Sequence, residues 1–92
     1  MRINFAHLRE RSTTGGWIDF AVFDAKPNSH RDEDRDALLY ELTIAARQNG
    51  LKVDKAALAY RENGRNMFYG AGDLVNYLSN NGVPRWTHYL DI

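Results

Sequence analysis

Apolar and polar positions alternate along the first third of the chain. In residues 2–10, RINFAHLRE, Ile3, Phe5 and His7 fall in phase on one face and Asn4, Ala6 and Leu8 on the other, which is the period of a β-strand. Residues 16–25, GWIDFAVFDA, are apolar on both faces and rich in β-branched and aromatic side chains, a pattern that predicts a central strand. Between them RSTTGG reads as a loop, with Gly15 and Gly16 free to take whatever positive φ the turn needs. The opening third is therefore a β-hairpin.

The pattern changes at Pro27, which has no backbone donor and pushes Lys26 toward extended geometry. From about 30 to 49, Leu38, Leu42 and Ala45, with Leu39 and Ala46 beside them, form one apolar stripe at helical period. Asn49-Gly50-Leu51 ends that helix, with Gly50 in the left-handed position. In residues 55–70, Asn63-Gly64 lies between two apolar runs and predicts a two-residue type I′ hairpin. The turn fixes the register: Glu62 faces Arg65, Tyr60 faces Met67 and Leu58 faces Tyr69 on the side expected to meet the core. Arg61, Asn66 and Phe68 are then expected to look outward. GDLVNYLSNNG, 72–82, predicts a short helix with Leu74, Tyr77 and Leu78 on its buried side, and RWTHYLDI a last strand. The order is ββαββαβ, and the economical architecture is an α+β domain, an antiparallel sheet with two helices packed on one face.

Ninety-two residues hold one hydrophobic core's worth of chain, so 1–92 is taken as a single domain. With 43% hydrophobic and 26% charged residues, the composition is that of a soluble globular protein rather than a disordered one. No cysteine is present, which removes disulfides, thiol nucleophiles and thiolate metal sites and favours the cytoplasm. No run of apolar residues is long enough for a membrane span, and the start of the chain lacks a signal-peptide core. Twelve basic residues balance twelve acidic ones, so no global field draws the chain to nucleic acid or makes it a mimic of phosphate charge.

The densest candidate for chemistry is NSHRDEDRD, which crowds His30, Asp32, Glu33, Asp34 and Asp36 together. With Ser29 as N-cap, Asp32 completes a capping box and the other acids sit at the positive end of the helix dipole. Together these effects contribute on the order of 1–2 kcal/mol to the helix, enough to account for the cluster without a ligand. Asp32, Asp34 and Asp36, spaced by two, point to different sides of a helix and do not converge on a metal. His7 and His88 lie in phase with apolar neighbours on strands that a sheet could bring together, and no serine elbow or zinc-ligand pattern accompanies them. Gly70-x-Gly72 before a helix lacks the lysine and third glycine of a nucleotide motif, and Asp73 would repel a phosphate. No metal, cofactor or catalytic residue is expected.

What remains is arginine, which makes up nine of the twelve basic residues and pairs with carboxylate or phosphate through a planar fork. Arg9 and Arg11 flank the first loop, and Arg61, Asn63, Arg65 and Asn66 surround the second hairpin. Because hairpin tips protrude, these six residues form the expected partner-binding set.

Taken whole, a short, cysteine-free, single-domain chain beginning at Met1 and lacking a catalytic motif resembles the small orphan proteins of proteobacterial phages and mobile elements. Within that group it is most similar to the anti-CRISPR inhibitors. The resemblance implies a non-enzymatic protein that occupies a host protein or protein–RNA complex, a CRISPR effector, and blocks target DNA. The balanced charge departs from strongly acidic inhibitors that imitate DNA. Two other readings stand beside it: a small nucleic-acid-binding or regulatory module using Arg61, Arg65 and other basic residues on phosphates, and a metal-dependent hydrolase built on His30 and its carboxylates.

Overall fold

The computed structural model describes residues 1–92 throughout. Its elements follow the expected order: β1 (Arg2–Arg11), β2 (Trp17–Asp24), α1 (Asp32–Gln48), β3 (Lys55–Glu62), β4 (Arg65–Gly70), α2 (Gly72–Asn81) and β5 (His88–Asp91). The five strands form one sheet in the order β4-β3-β2-β1-β5. All neighbours pair antiparallel except β2 and β3, which run parallel because α1 carries the chain back between them. The class, α+β with ββαββαβ order, is the one the hydrophobic pattern specifies.

The helices divide between the two faces of the sheet instead of sharing one. On one face Phe5, Ala21, Phe23, Leu58 and Tyr60 pack with Leu42 and Ala46 of α1. On the other, Phe20, Val22, Ala57 and Ala59 pack with Leu74 and Leu78 of α2. The physical reason is already visible in the alternation along β2 and β3. Strands that are apolar on both faces need cover on both, and the connection from β4 at one sheet edge to β5 at the other has to cross the whole sheet. Phe23, Leu42 and Leu58 in the first layer and Val22 and Leu78 in the second are fully buried, each worth about 1.5–3 kcal/mol of apolar transfer.

The second hairpin has the register its turn dictates, with Asn63 at φ 52° and Gly64 at φ 77° and Glu62, Tyr60 and Leu58 opposite Arg65, Met67 and Tyr69. Phe68, expected outside, instead packs against the α2 layer, since that face is also covered. Gly70 at the end of β4 has φ +147°, and a Cβ there would stand 2.4 Å from the Ala56 carbonyl oxygen and 2.7 Å from Ala57 Cα. The glycine is thus required by close backbone approach and not by a phosphate.

Helix α1 begins later than the capping box suggests. Arg31 is its N-cap and makes no side-chain cap bond. Ser29 Oγ instead accepts from the Arg31 amide at 3.2 Å and donates to Asp34 Oδ2 at 2.5 Å. Each neighbouring acid also has a partner: Asp32 takes Arg35, Glu33 takes Arg31 at 2.9 Å, and Asp36 accepts the Tyr69 hydroxyl. The Asp32 bond holds the Arg35 guanidinium above its usual pKa against a partial loss of hydration. Dipole and pairing together occupy the acids as the start of a helix.

Candidate functional site

The two clusters of candidate residues lie at opposite ends of the sheet. Because β3 runs parallel to β2, the turn that follows it at Asn63-Gly64 is at the far end from the turn that precedes β2. Arg9 and Arg11 therefore belong to one end, and Arg61, Asn63, Arg65 and Asn66 to the other. At the second end Arg61 is turned back on its own hairpin, donating to the Gly64 carbonyl at 2.7 Å and to Asn66 Oδ1 at 3.3 Å. Beside it a cleft of about 330 Å³ is lined by Asp24, Ala59, Arg61, Asn66, Val83 and Trp86. Its polar lining is Asp24, Arg61 and Asn66, and the Arg61 guanidinium is already engaged by its own hairpin.

The end holding Arg9 and Arg11 is built differently. On the α1 face the helix covers the sheet as far as Phe5 and Ala21, and strand alternation carries His7, Arg9 and Arg11 of β1 and Asp19 and Trp17 of β2 onward along the same face. Arg11 is the register partner of Trp17, and Arg9 of Asp19. Both guanidinium carbons lie 4.8 Å from the Trp17 ring centroid, within cation–π range, and the residue is 47% exposed.

Asp19 lies beneath these cations, its side chain only 4% exposed. His7 Nε2 donates to Asp19 Oδ1 at 2.9 Å, with Arg9 Nε at 3.6 Å from the same oxygen and Lys52 Nζ at 3.9 Å from Oδ2. Oδ2 is buried without a hydrogen-bond partner. The strand ladder is extended at this point by Asp54, whose amide donates to the Asp19 carbonyl at 2.8 Å and whose Oδ2 accepts from the Asp19 amide at 2.9 Å. The Asp19 side chain is buried, whereas Asp54 is exposed, as are the Arg9 and Lys52 side chains at 54% and 68%. Arg9, Arg11 and Lys52 outnumber the exposed Asp54 carboxylate beside them.

Further along the face, β5 brings His88 against β1, opposite Phe5. The His88 ring stacks on Phe5 at 5.1 Å and meets His7 edge-on at 6.4 Å, so the sheet does join the two strand histidines. A shallow groove lined by Phe5, Gly50, Leu51, His88 and Leu90 continues from there toward the end of α1. His7 and Asp19 have the geometry of a base and its orienting acid, while the Ser12 and Thr14 hydroxyls bond each other at the hairpin tip, beyond the Arg11–Trp17 pair. No group of three or more His, Cys, Asp or Glu side chains is placed to hold a metal ion. No helix is long and apolar enough to cross a membrane.

Trp17, Asp19 and Lys52 were not in the set expected from the sequence. Asp19 carried a signal, as the lone charge inside the apolar run WIDFAVF, in a strand adjacent to one with a histidine in phase. Trp17 and Lys52 join the site only through the hairpin register and the return of the chain after α1.

No family model, curated protein or solved structure matches this chain. The phage and anti-CRISPR identity implied by the whole-chain resemblance is corrected accordingly: with no family, relative or structural neighbour behind it, only the general class, a small α+β domain, is supported.

Proposed function

We propose that this chain is a non-enzymatic binding protein that recognises the phosphate groups of nucleic acid with the end of the sheet formed by Arg9, Arg11, Trp17 and Lys52. The observation that carries this reading is the pair of arginines held over one exposed tryptophan, with Lys52 beside them and the Asp19 carboxylate buried beneath. Arginine forks match phosphate oxygens two at a time, and stacking on a ring fixes them before a ligand arrives, reducing the order lost on binding. The balanced net charge does not oppose this, because local rather than total charge sets contacts within about a Debye length of roughly 10 Å. Asp19 lies beneath the cations and offsets part of their charge.

Fluorescence anisotropy of a labelled oligonucleotide over a salt series tests the reading. Binding is expected to weaken as salt rises, and the Arg9→Ala/Arg11→Ala double variant is expected to lose most of it. Arg65→Ala, at the other end of the sheet, keeps it. Salt-independent binding, or loss confined to Arg65→Ala, contradicts the assignment.

A further inference from the structure

We propose that β4 is a docking edge for a second copy of this chain, the two β4 strands pairing antiparallel so that two sheets become one. This association is independent of the phosphate-binding reading, whose residues lie at the Arg9–Arg11 end of each copy. The sheet has two edges, β4 and β5. β5 spans only four residues, with Pro84 shortly before it. β4 spans six in unbroken register with β3, and RNMFYG holds no lysine, proline or bulge of the kind that keeps an edge from pairing. Its apolar side chains are already taken up, Met67 and Tyr69 by the α1 layer and Phe68 by the α2 layer, so the edge offers its backbone. Glu62 and Arg65 close the two-residue turn as a hydrogen-bonded pair. Alternation from there directs the amides and carbonyls of Met67 and Tyr69 to β3 and those of Asn66 and Phe68 away from the sheet.

What selects a second copy over any other strand is that this edge is complementary to itself when read antiparallel. With Met67 on a two-fold axis, Asn66 of each copy pairs with Phe68 of the other, which satisfies the outward amides and carbonyls of both strands. The same register sets Arg65 directly opposite Tyr69 of the other copy, on the α1 face. Arg65 is exposed and has no ion-pair partner in its own chain, because Glu62, across the ladder, is held by Lys26 at 2.8 Å. The Tyr69 hydroxyl donates to Asp36, an exposed carboxylate that likewise has no cation of its own, since neighbouring Arg35 pairs with Asp32. An arginine opposite a tyrosine is long enough to bring its guanidinium level with the hydroxyl, and so to the carboxylate bound there. Antiparallel pairing therefore joins Arg65 to Asp36 at both ends of the seam. Two shared strands make a small interface, so association in the micromolar range is expected.

Sedimentation equilibrium from about 1 µM to 1 mM, the span that brackets weak association, tests the proposal. The mass is expected to rise from monomer toward dimer. Hydrogen exchange read at both ends of the range assigns the seam without any substitution: the Asn66 and Phe68 amides are expected to gain protection with concentration, and residues 88–91 are not. Met67→Lys, which opposes two like charges on the axis, is expected to weaken association at least about 10-fold. Asp36→Arg is expected to weaken it at least about 2-fold, and adding Arg65→Asp to Asp36→Arg to restore it. Circular-dichroism melts of the variants at monomer concentration separate lost pairing from unfolding. A constant monomer mass, or a dimer that protects residues 88–91 in place of Asn66 and Phe68, overturns the proposal. A charge-exchanged double variant no tighter than Asp36→Arg alone removes the complementarity that selects a second copy, and overturns it as well.

Discussion

Arg11 and Trp17 face each other as the last register pair of the β1–β2 ladder, the guanidinium carbon 4.8 Å from the ring centroid. The contact holds a long side chain on the sheet face instead of leaving it free at the hairpin tip, where Arg11 also donates to the Gly15 carbonyl at 3.2 Å. Each arginine that meets a phosphate releases counterions, so removing one should lower the slope of log affinity against log salt by about 0.7 for a single strand. Arg9→Ala and Arg11→Ala measured separately are expected to show that decrement, and Arg65→Ala no change.

Asp19 couples stability to binding in opposite senses. Replacing it by asparagine keeps the shape but removes the charge that His7, Arg9 and Lys52 surround. Loss of a charge-assisted bond in a buried position is expected to cost about 1–3 kcal/mol in urea denaturation. The same change makes the surface more cationic, so affinity for oligonucleotide should rise. An Asp19→Asn protein that is less stable and also binds more weakly would show that the carboxylate contacts or orders the ligand site itself.

Gly70 is the backbone position most sensitive to a side chain. A Cβ would meet the Ala56 carbonyl at 2.4 Å, and φ of +147° is strained for any L-residue. Gly70→Ala is expected to destabilise by about 3 kcal/mol or more, since β3 and β4 must separate to admit it. Gly64→Ala, at φ +77° in open space, is expected to cost only about 1 kcal/mol. Thermal melts of the two variants that coincide would contradict the packing at the β3–β4 edge.

The pH dependence of stability has two limbs. Lys26 holds the Glu62 carboxyl below its usual 4.5, and Lys55 holds Asp73 below its usual 3.8. A depressed carboxyl stabilises the fold above its unfolded value, and that contribution disappears as pH falls through the lower folded value. Lys26→Met and Lys55→Met should therefore flatten the fall in melting temperature below about pH 4.5. The Tyr69 hydroxyl donates to Asp36 and is held above its usual 10.0. A raised group stabilises below its unfolded value and loses that contribution as pH rises through the folded one, so Tyr69→Phe should flatten the alkaline limb. Unchanged limbs would place these pairs in solvent as too mobile to matter.

The fold was legible in the sequence wherever a single residue pattern decides an element. Asn63-Gly64 sets its turn and the register on both sides of it, and the Leu38-Leu42 stripe and Gly50 set α1. The division of the helices between faces was also encoded, in the two-sided apolar pattern of β2 and β3, but it becomes decisive only when strand order puts β4 and β5 at opposite edges. The candidate site was half legible. Arg9 and Arg11 stood out as charges beside a loop, but Trp17 reads as an ordinary member of a central strand until register places it opposite Arg11. Lys52 lies 33 residues after Asp19 and reaches it through the chain that returns from α1. The two hairpins lie at opposite ends of the sheet because β2 and β3 are parallel, a relation that appears only when the strands on either side of α1 are paired.

The central claim, that binding belongs to the β1–β2 end of the sheet, is tested most directly by mapping amide shifts of isotope-labelled protein during titration with a short single-stranded oligonucleotide. The account predicts saturable shifts at residues 7–11, 17–19 and 52, with residues 61–66 unmoved. Shifts centred on the Asn63-Gly64 turn, or none at all under conditions of low salt, would contradict it.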